Sequence, residues 1–268
     1  MLALAMAAPA AAQDATGTVD WSGPYVGGSL GYSWQPSNSD ETIGFDTNGD
    51  GEFGDTVTTV GGADAFSPGF CNGAAQGATP ASGCRNDKDG THWSIHAGYD
   101  RQYGNIVAGL LLEAGKTHIS NSVSAFSTTP ANYVMTRSLD WNAALRARVG
   151  LATGRTLLYA TGGVAYGRVQ NSFDTTNGLN AFTETKRKES AWGWTAGGGV
   201  EQMVADNFSI GVLYKYTRYD AGDYRVNASQ GAAPATNPFV ITPAGSTDFA
   251  RAGRFDNHAV KATASFRF

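Results

Sequence analysis

The segment LDWNAALRARVGL, Leu139 to Leu151, decides the fold. Counted in twos, Leu139, Trp141, Ala143, Leu145, Ala147, Val149 and Leu151 share one face. Asp140, Asn142, Ala144, Arg146, Arg148 and Gly150 share the other. A period of two belongs to a β-strand, whose successive side chains leave opposite sides of the sheet. One face is wholly apolar and the other carries three charges.

Working outward, the same alternation recurs seven times. Thr91 to Tyr103 sets Trp93, Ile95, Ala97 and Tyr99 against His92, Ser94, His96, Asp100 and Gln102. Ser22 to Trp34, Ile106 to Thr117, Ala191 to Met203, Phe208 to Tyr219 and Asn257 to Phe268 follow suit, while Leu157 to Val169 is weak because Gly162-Gly163 interrupts it. Each run is about 11–13 residues, longer than a usual soluble strand and close to a tilted bilayer crossing. Connections alternate in length. Gly104-Asn105, Thr153-Gly154-Arg155 and Ala205-Asp206-Asn207 are short, whereas Gln35 to Gly90, His118 to Ser138, Gln170 to Ser190 and Asp220 to Asp256 are long and polar. The expectation is an all-β fold: an eight-stranded antiparallel up-and-down transmembrane β-barrel with four long extracellular loops and both termini at the short-turn, periplasmic side.

Composition agrees. Of 268 residues only 16% are charged, 35 are glycine and 11% are aromatic. A net charge of −4 with a pI near 5.5 argues against a nucleic-acid partner, which needs a clustered basic surface. Mean hydropathy is −0.26, and no run reaches the roughly 18 apolar residues of a membrane helix. Alternating strands cancel in any window average, so neither value speaks against a membrane barrel.

Parity alone allows a soluble lipocalin-type barrel with its apolar face inward. Three features favour the inverted arrangement. The chain reaches Phe268 in the apolar register of the last strand. Aromatic residues (Trp21, Tyr25, Trp34, Trp93, Tyr103, Trp141, Tyr166, Trp192, Phe208, Tyr216) gather near strand ends, as interfacial girdles do. An eight-stranded barrel is too narrow for a channel, so its interior is packed by side chains. Glu113, Arg146, Arg148, Glu201, Lys215 and Lys261 then form a charge-paired plug, since buried charges are tolerated only in pairs.

Several blocks carry a family resemblance. DWSGPYVGGSLGY (Asp20 to Tyr32), LRARVGLATGRTLLYATGGVAYG (Leu145 to Gly167), WGWTAGGGVE (Trp192 to Glu201) and the ending HAVKATASFRF resemble porin-family, OmpA-like outer-membrane proteins of alphaproteobacteria. The resemblance implies an eight-stranded, surface-exposed barrel with structural, adhesive or host-interaction roles, and haem binding in some members. It covers nearly all strands and leaves the long loops unmatched, the first of which is unusually long.

Outside the strands, MLALAMAAPAAA has the apolar character and Ala-X-Ala ending of a secretory signal, without the charged start. The expected organisation is therefore a signal-peptide remnant over 1–12, a periplasmic segment over 13–21 and the barrel over 22–268. Cys71 and Cys84 in an exported chain suggest a disulfide, worth roughly 3 kcal/mol to a loop of that size in the chain-entropy model. In DTNGDGEFGD, Asp46, Asn48, Asp50 and Glu52 with Gly51 match the front half of an EF-hand Ca²⁺ loop. The twelfth position is Val57 rather than a bidentate Glu, although Asp55 stands nearby, and a solvated Asx/Gly turn is the competing reading. No other cofactor is expected. His92 and His96 share a face but lie about 13 Å apart along a strand, too far for one metal, and His118 and His258 fall in the lipid-side register. Ser94, His96 and Asp100 share a face without the spacing of a catalytic set. Glycine runs within strands lack the helix N-terminus of a phosphate cradle, so close packing or curvature of the wall accounts for them.

The function expected is that of a non-enzymatic, structural barrel in the bacterial outer membrane, whose loops contact the environment or host. The alternatives are a narrow porin for small solutes and a rim hydrolase acting on lipid. The expected partners are membrane lipid, lipopolysaccharide and host or environmental surface ligands.

Overall fold

A computed structural model of the chain describes residues 19–36, 41–222, 224–251 and 255–268. Segment 1–12, read as a signal remnant, and most of 13–21 lie outside the described residues. Eight long strands form the body: β1 (Gly23–Trp34), β2 (Gly90–Tyr103), β3 (Ile106–Ser127), β4 (Ala131–Thr153), β5 (Thr156–Thr175), β6 (Lys188–Ala205), β7 (Phe208–Asp220) and β8 (Phe255–Arg267). Each pairs antiparallel with the next, and β8 returns to β1 over Tyr25↔Arg267 to Trp34↔His258, closing the ring. Closure leaves no unpaired edge along the spanning strands. Three two-residue turns, Gly104-Asn105, Gly154-Arg155 and Asp206-Asn207, join strands at one end.

The orientation of the faces is unambiguous. Trp141, Leu145 and Val149 are 44%, 55% and 55% exposed, while Arg146 and Arg148 between them are 2% and 6% exposed. Leu30, Ile95, Leu110, Leu112, Leu158, Trp192, Ile210 and Val212 complete an exposed apolar belt around the ring. Hydrocarbon solvates such a belt; water would leave it as a patch far larger than soluble proteins expose.

The interior is layered. At the short-turn end Trp21, Val107, Leu157, Met203 and Leu213 make an apolar cluster. Charged groups fill the middle. Ile119, Leu139, Ala165, Val169, Tyr219 and Phe255 make a second apolar layer above them. These layers explain the weak periodicity of β5, since Leu157, Tyr159, Ala165 and Val169 put apolar groups on its inner face as well.

Room for the charges comes from glycine. Across the ladders Gly163 faces Arg146, Gly31 faces Lys261, Gly197 faces Lys215, Gly211 faces Glu201, and Gly109 faces both Asp100 and Arg148. A Cβ at Gly163 would stand 2.0 Å from the Leu145 carbonyl oxygen and 2.8 Å from Arg146 Cα. Each long side chain thus lies over a neighbour that has none.

Four placements differ from expectation. The connection His118 to Ser138 is not a loop. β3 and β4 run on as a hairpin to a turn at 128–130, extending β3 past Thr117 by roughly 30 Å of strand. Alternation is lost there because residues 121–126 are buried on both faces. Leu139 is 3% exposed and faces inward, because a bulge at Asp140-Trp141 turns both of those residues outward and inverts the parity. Trp21 and Tyr25, read as girdle residues, are buried inside the barrel mouth. Finally, the remaining long connections are largely ordered. Ala181–Thr185, Arg225–Ser229, Thr247–Arg251 and Ile43–Asp46 form a four-stranded sheet in that order.

That sheet packs on the projecting ends of β3, β4 and β5 to enclose a third core, with Phe45, Phe66, Tyr133, Val226, Phe239 and Phe249 at its centre. Phe45 stacks on Phe66 at 4.3 Å and meets Phe249 edge-on at 5.1 Å, a geometry that adds about 0.5–1.5 kcal/mol per pair beyond area burial. Strand Gly69–Asn72 pairs with β3 beside this core, and the Cys71–Cys84 disulfide ties it to Cys84–Arg85.

The glycine arrangement makes a paired prediction. Gly163→Ala should lower stability by roughly 1–3 kcal/mol, the usual cost of overpacking, seen as a lower urea midpoint in folded micelles. Gly162→Ala, whose added Cβ meets nothing nearer than 3.5 Å, should leave the midpoint in place.

Candidate functional site

The spanning part of the interior holds the densest ionic cluster among the described residues. Glu113 is 2% exposed and binds three cations: its Oε1 accepts Lys215 Nζ at 2.6 Å and lies 3.0 Å from Lys261 Nζ, and its Oε2 accepts Arg146 Nη2 at 2.8 Å. One layer nearer the short turns, Arg148 donates from Nε to Asp100 Oδ1 at 2.9 Å and from Nη1 to Glu201 Oε2 at 2.8 Å. Asp100 also accepts Arg267 Nη2 at 2.9 Å, and Glu201 accepts Ser209 Oγ at 2.6 Å. The Arg148 guanidinium lies 4.8 Å from the Tyr25 ring centre and 5.1 Å from that of Tyr159, a cation–π sandwich that fixes its plane. The structure therefore gathers all six expected residues, in two adjacent layers, and adds Asp100 and Arg267. Periodicity puts both of these on the inner face; what it does not convey is their height along the barrel, which brings strands β2 and β8 level with Arg148.

A second ionic cluster sits above the upper apolar layer. Glu41 accepts Arg251 Nη2 at 2.6 Å and Asn121 Nδ2 at 3.2 Å, and Arg137 Nη2 lies 3.5 Å from Glu41 Oε1. Burial pushes the Glu41 carboxyl above its ordinary range against the pull of Arg251 and Arg137. A long-range partner for a loop glutamate leaves no local trace in sequence.

The remaining candidates do not converge. His92 shares hydrogen bonds with Thr117 Oγ1 at 3.0 Å, Ser33 Oγ at 3.3 Å and Lys261 Nζ at 3.2 Å, while His96 Nε2 is 2.9 Å from Ser265 Oγ. His258 stacks on Trp34 on the outer face. Ser94 is engaged by Ser29 and Lys261, and Asp100 by arginines, so Ser94, His96 and Asp100 share no proton path. In the loop, Asp46 is buried and its carboxylate accepts N–H groups of Asn48 at 3.2 Å, Gly49 at 2.7 Å and Gly51 at 2.8 Å. Asn48 and Asp50 hydrogen-bond each other, and Asp55 caps Thr47. Burial raises Asp46, but the backbone N–H groups outweigh it and hold the carboxyl below its ordinary value. Asp46, Asn48, Asp50 and Glu52 thus form a run of Asx turns, and among the described residues no group of three or more His, Cys, Asp or Glu is arranged to hold a metal.

An apolar belt outside, paired charges inside and two-residue turns at one end define an outer-membrane β-barrel, short turns toward the periplasm. The whole chain, residues 1–268, matches the family described as outer membrane protein beta-barrel domain, and the protein belongs to that family. It is 29% identical over 206 residues to the 31 kDa outer-membrane immunogenic protein of Brucella melitensis, spanning 75% of this chain and 72% of that one. It is 31% identical over 134 residues to the 22 kDa outer membrane protein of Rhizobium leguminosarum, spanning 50% and 55%. Among solved structures, the outer membrane protein OprG from Pseudomonas aeruginosa superposes with a TM-score of 0.50 at 11% identity, covering 94% of this chain and 99% of that one. The fold is shared with it. The protein resides in the outer membrane.

Glu113 makes three of the network's ion pairs, against two for Asp100. Glu113→Gln leaves Arg146, Lys215 and Lys261 facing one another in a dry interior and should cost about 3–5 kcal/mol in urea unfolding followed by tryptophan fluorescence. Asp140→Asn, which breaks the half-exposed pair with Lys116 at 3.6 Å, should cost under about 1 kcal/mol.

Proposed function

We propose that this protein is a closed, non-catalytic platform that carries a rigid cap to the cell surface for contact with environmental or host surfaces. The observation that carries this reading is the stacked interior. Two apolar layers bracket a charge network, and a third core with its own sheet covers the outer end. A solute crossing the lumen would have to part the salt bridges of Glu113 and Asp100 in turn, each several kcal/mol to break. A hydrolytic role finds no support, because Ser94, His96 and Asp100 are enclosed by wall residues and committed to separate partners.

Lipopolysaccharide is the lipid partner we propose for the outer rim. Lys116 lies 4.8 Å from the Trp141 ring centre, and Arg168 and Lys188 are exposed on the same outward register just above Tyr166 and Trp192. Cations over an aromatic belt suit the anionic headgroups of an outer leaflet. Calcium at Asp46, Asn48, Asp50 and Glu52 is a subordinate proposal. It requires the carboxylates of Asp50 and Glu52, both exposed, to turn toward Asp46.

Planar-bilayer recording on the refolded protein tests the closed platform. The expected result is a flat baseline at ±100 mV. Reproducible conductance steps that persist in the wild type would establish the narrow porin instead.

A further inference from the structure

The spanning charge network is unbalanced. Among the described residues its acids are Asp100, Glu113 and Glu201, and its bases are Arg146, Arg148, Lys215, Lys261 and Arg267. The formal sum is two positive charges, held inside a wall that lipid surrounds. An uncompensated charge in such a medium is costly, and the cost falls when a counter-ion accompanies it.

A cavity lies within this network; the charged residues that line it, Glu113, Glu201, Arg146 and Arg148, balance formally, and the surplus of two sits around it on Lys215, Lys261 and Arg267 against Asp100. A void of about 20 Å³ lies between Tyr25, His96, Glu113, Arg146, Arg148, Tyr159 and Glu201. That is room for one small ion or one water and no more. Two of its lining residues carry polar atoms with no protein partner: Nε and Nη1 of Arg146, and the hydroxyl of Tyr25. Arg146 spends only Nη2 on Glu113, so two of its three nitrogens are unspent in a residue 2% exposed. The nitrogens are donors without acceptor capacity, and the phenol can donate as readily as accept. The nearby carboxylates already accept from lysine, arginine and serine. The groups left without a partner at the cavity are therefore donors, and the network around it carries the positive surplus.

We propose that the barrel interior encloses a monovalent anion of chloride size, held by Arg146 Nε and Nη1 and the Tyr25 hydroxyl, as a structural counter-ion that completes the network. A single spherical anion accepts from all three donors at once and removes half of the surplus charge. A water would satisfy geometry but not charge. Because apolar layers close both ends, the ion is taken up as the barrel forms.

Crystals of the full-length protein refolded and grown in sodium bromide test the site directly. An anomalous peak touching Arg146 and Tyr25 is expected; interior density with no anomalous signal would overturn the proposal. In solution, the protein is refolded in sodium chloride or sodium gluconate at equal ionic strength. Its urea midpoint should rise with the logarithm of chloride concentration. In Tyr25→Phe, which keeps the ring over Arg148, that slope should fall by half or more, whereas equal midpoints in the two salts for the wild type would refute the site. Arg146→Met is the harsher variant, and the phenol substitution keeps the test readable if it fails to fold. Neither arm depends on whether the lumen conducts.

Discussion

The ion pairs of Glu113 with Arg146, Lys215 and Lys261 set the terms for the rest of the structure. A ring of eight strands encloses a space too narrow for bulk water, so whatever points inward must be solvated by other side chains. Long charged groups meet that demand only if the wall gives them room and the ends are sealed. The cross-strand glycines supply the room, and the Trp21 and Tyr219 layers supply the seals. The apolar belt then follows of necessity, because the same strands that turn Arg146 inward turn Leu145 outward.

Most of the spanning barrel is readable from its sequence because lipid and a polar lumen impose opposite chemistry on alternate residues. Leu139 to Leu151 shows the principle and also its limit. One bulge at Asp140-Trp141 is enough to carry Leu139 to the inner side, and no composition rule marks it. In β5 the alternation weakens since the lumen there is itself apolar. Above the membrane it vanishes, as Val123, Ala125 and Phe126 are covered from both sides by the cap. Ile43, Phe45, Phe66, Val226, Phe239 and Phe249 were the available sign that the polar connections hide a core, scattered as single apolar residues over segments far apart in the chain.

The ionic site was legible as a set of residue types but not as a geometry. Periodicity places Glu113, Arg146, Arg148, Glu201, Lys215 and Lys261 on inner faces. Their pairing depends on the stagger between strands, which also decides that Asp100 and Arg267 join them. Tyr25 and Trp21 show the same gap from the other side: their type suggests an interfacial girdle, and their parity and height put them over arginines instead. The Glu41–Arg251 pair, separated by most of the chain, had no signal at all.

The cap orders the outer end of the barrel. Long exposed loops on a small barrel would be entropically costly to order on contact with a partner. Here the aromatic cluster around Phe249 and the Cys71–Cys84 bridge order them beforehand. All of this stands on the outward direction of the greasy face. Spin labels placed singly at Ala144, Leu145, Ala147 and Val149 in protein reconstituted into vesicles measure that direction, through relaxation by oxygen and by a water-soluble nickel chelate. High oxygen and low nickel accessibility at 145, 147 and 149, with neither at 144, is the predicted pattern. Strong nickel relaxation at 145 and 149 would contradict it.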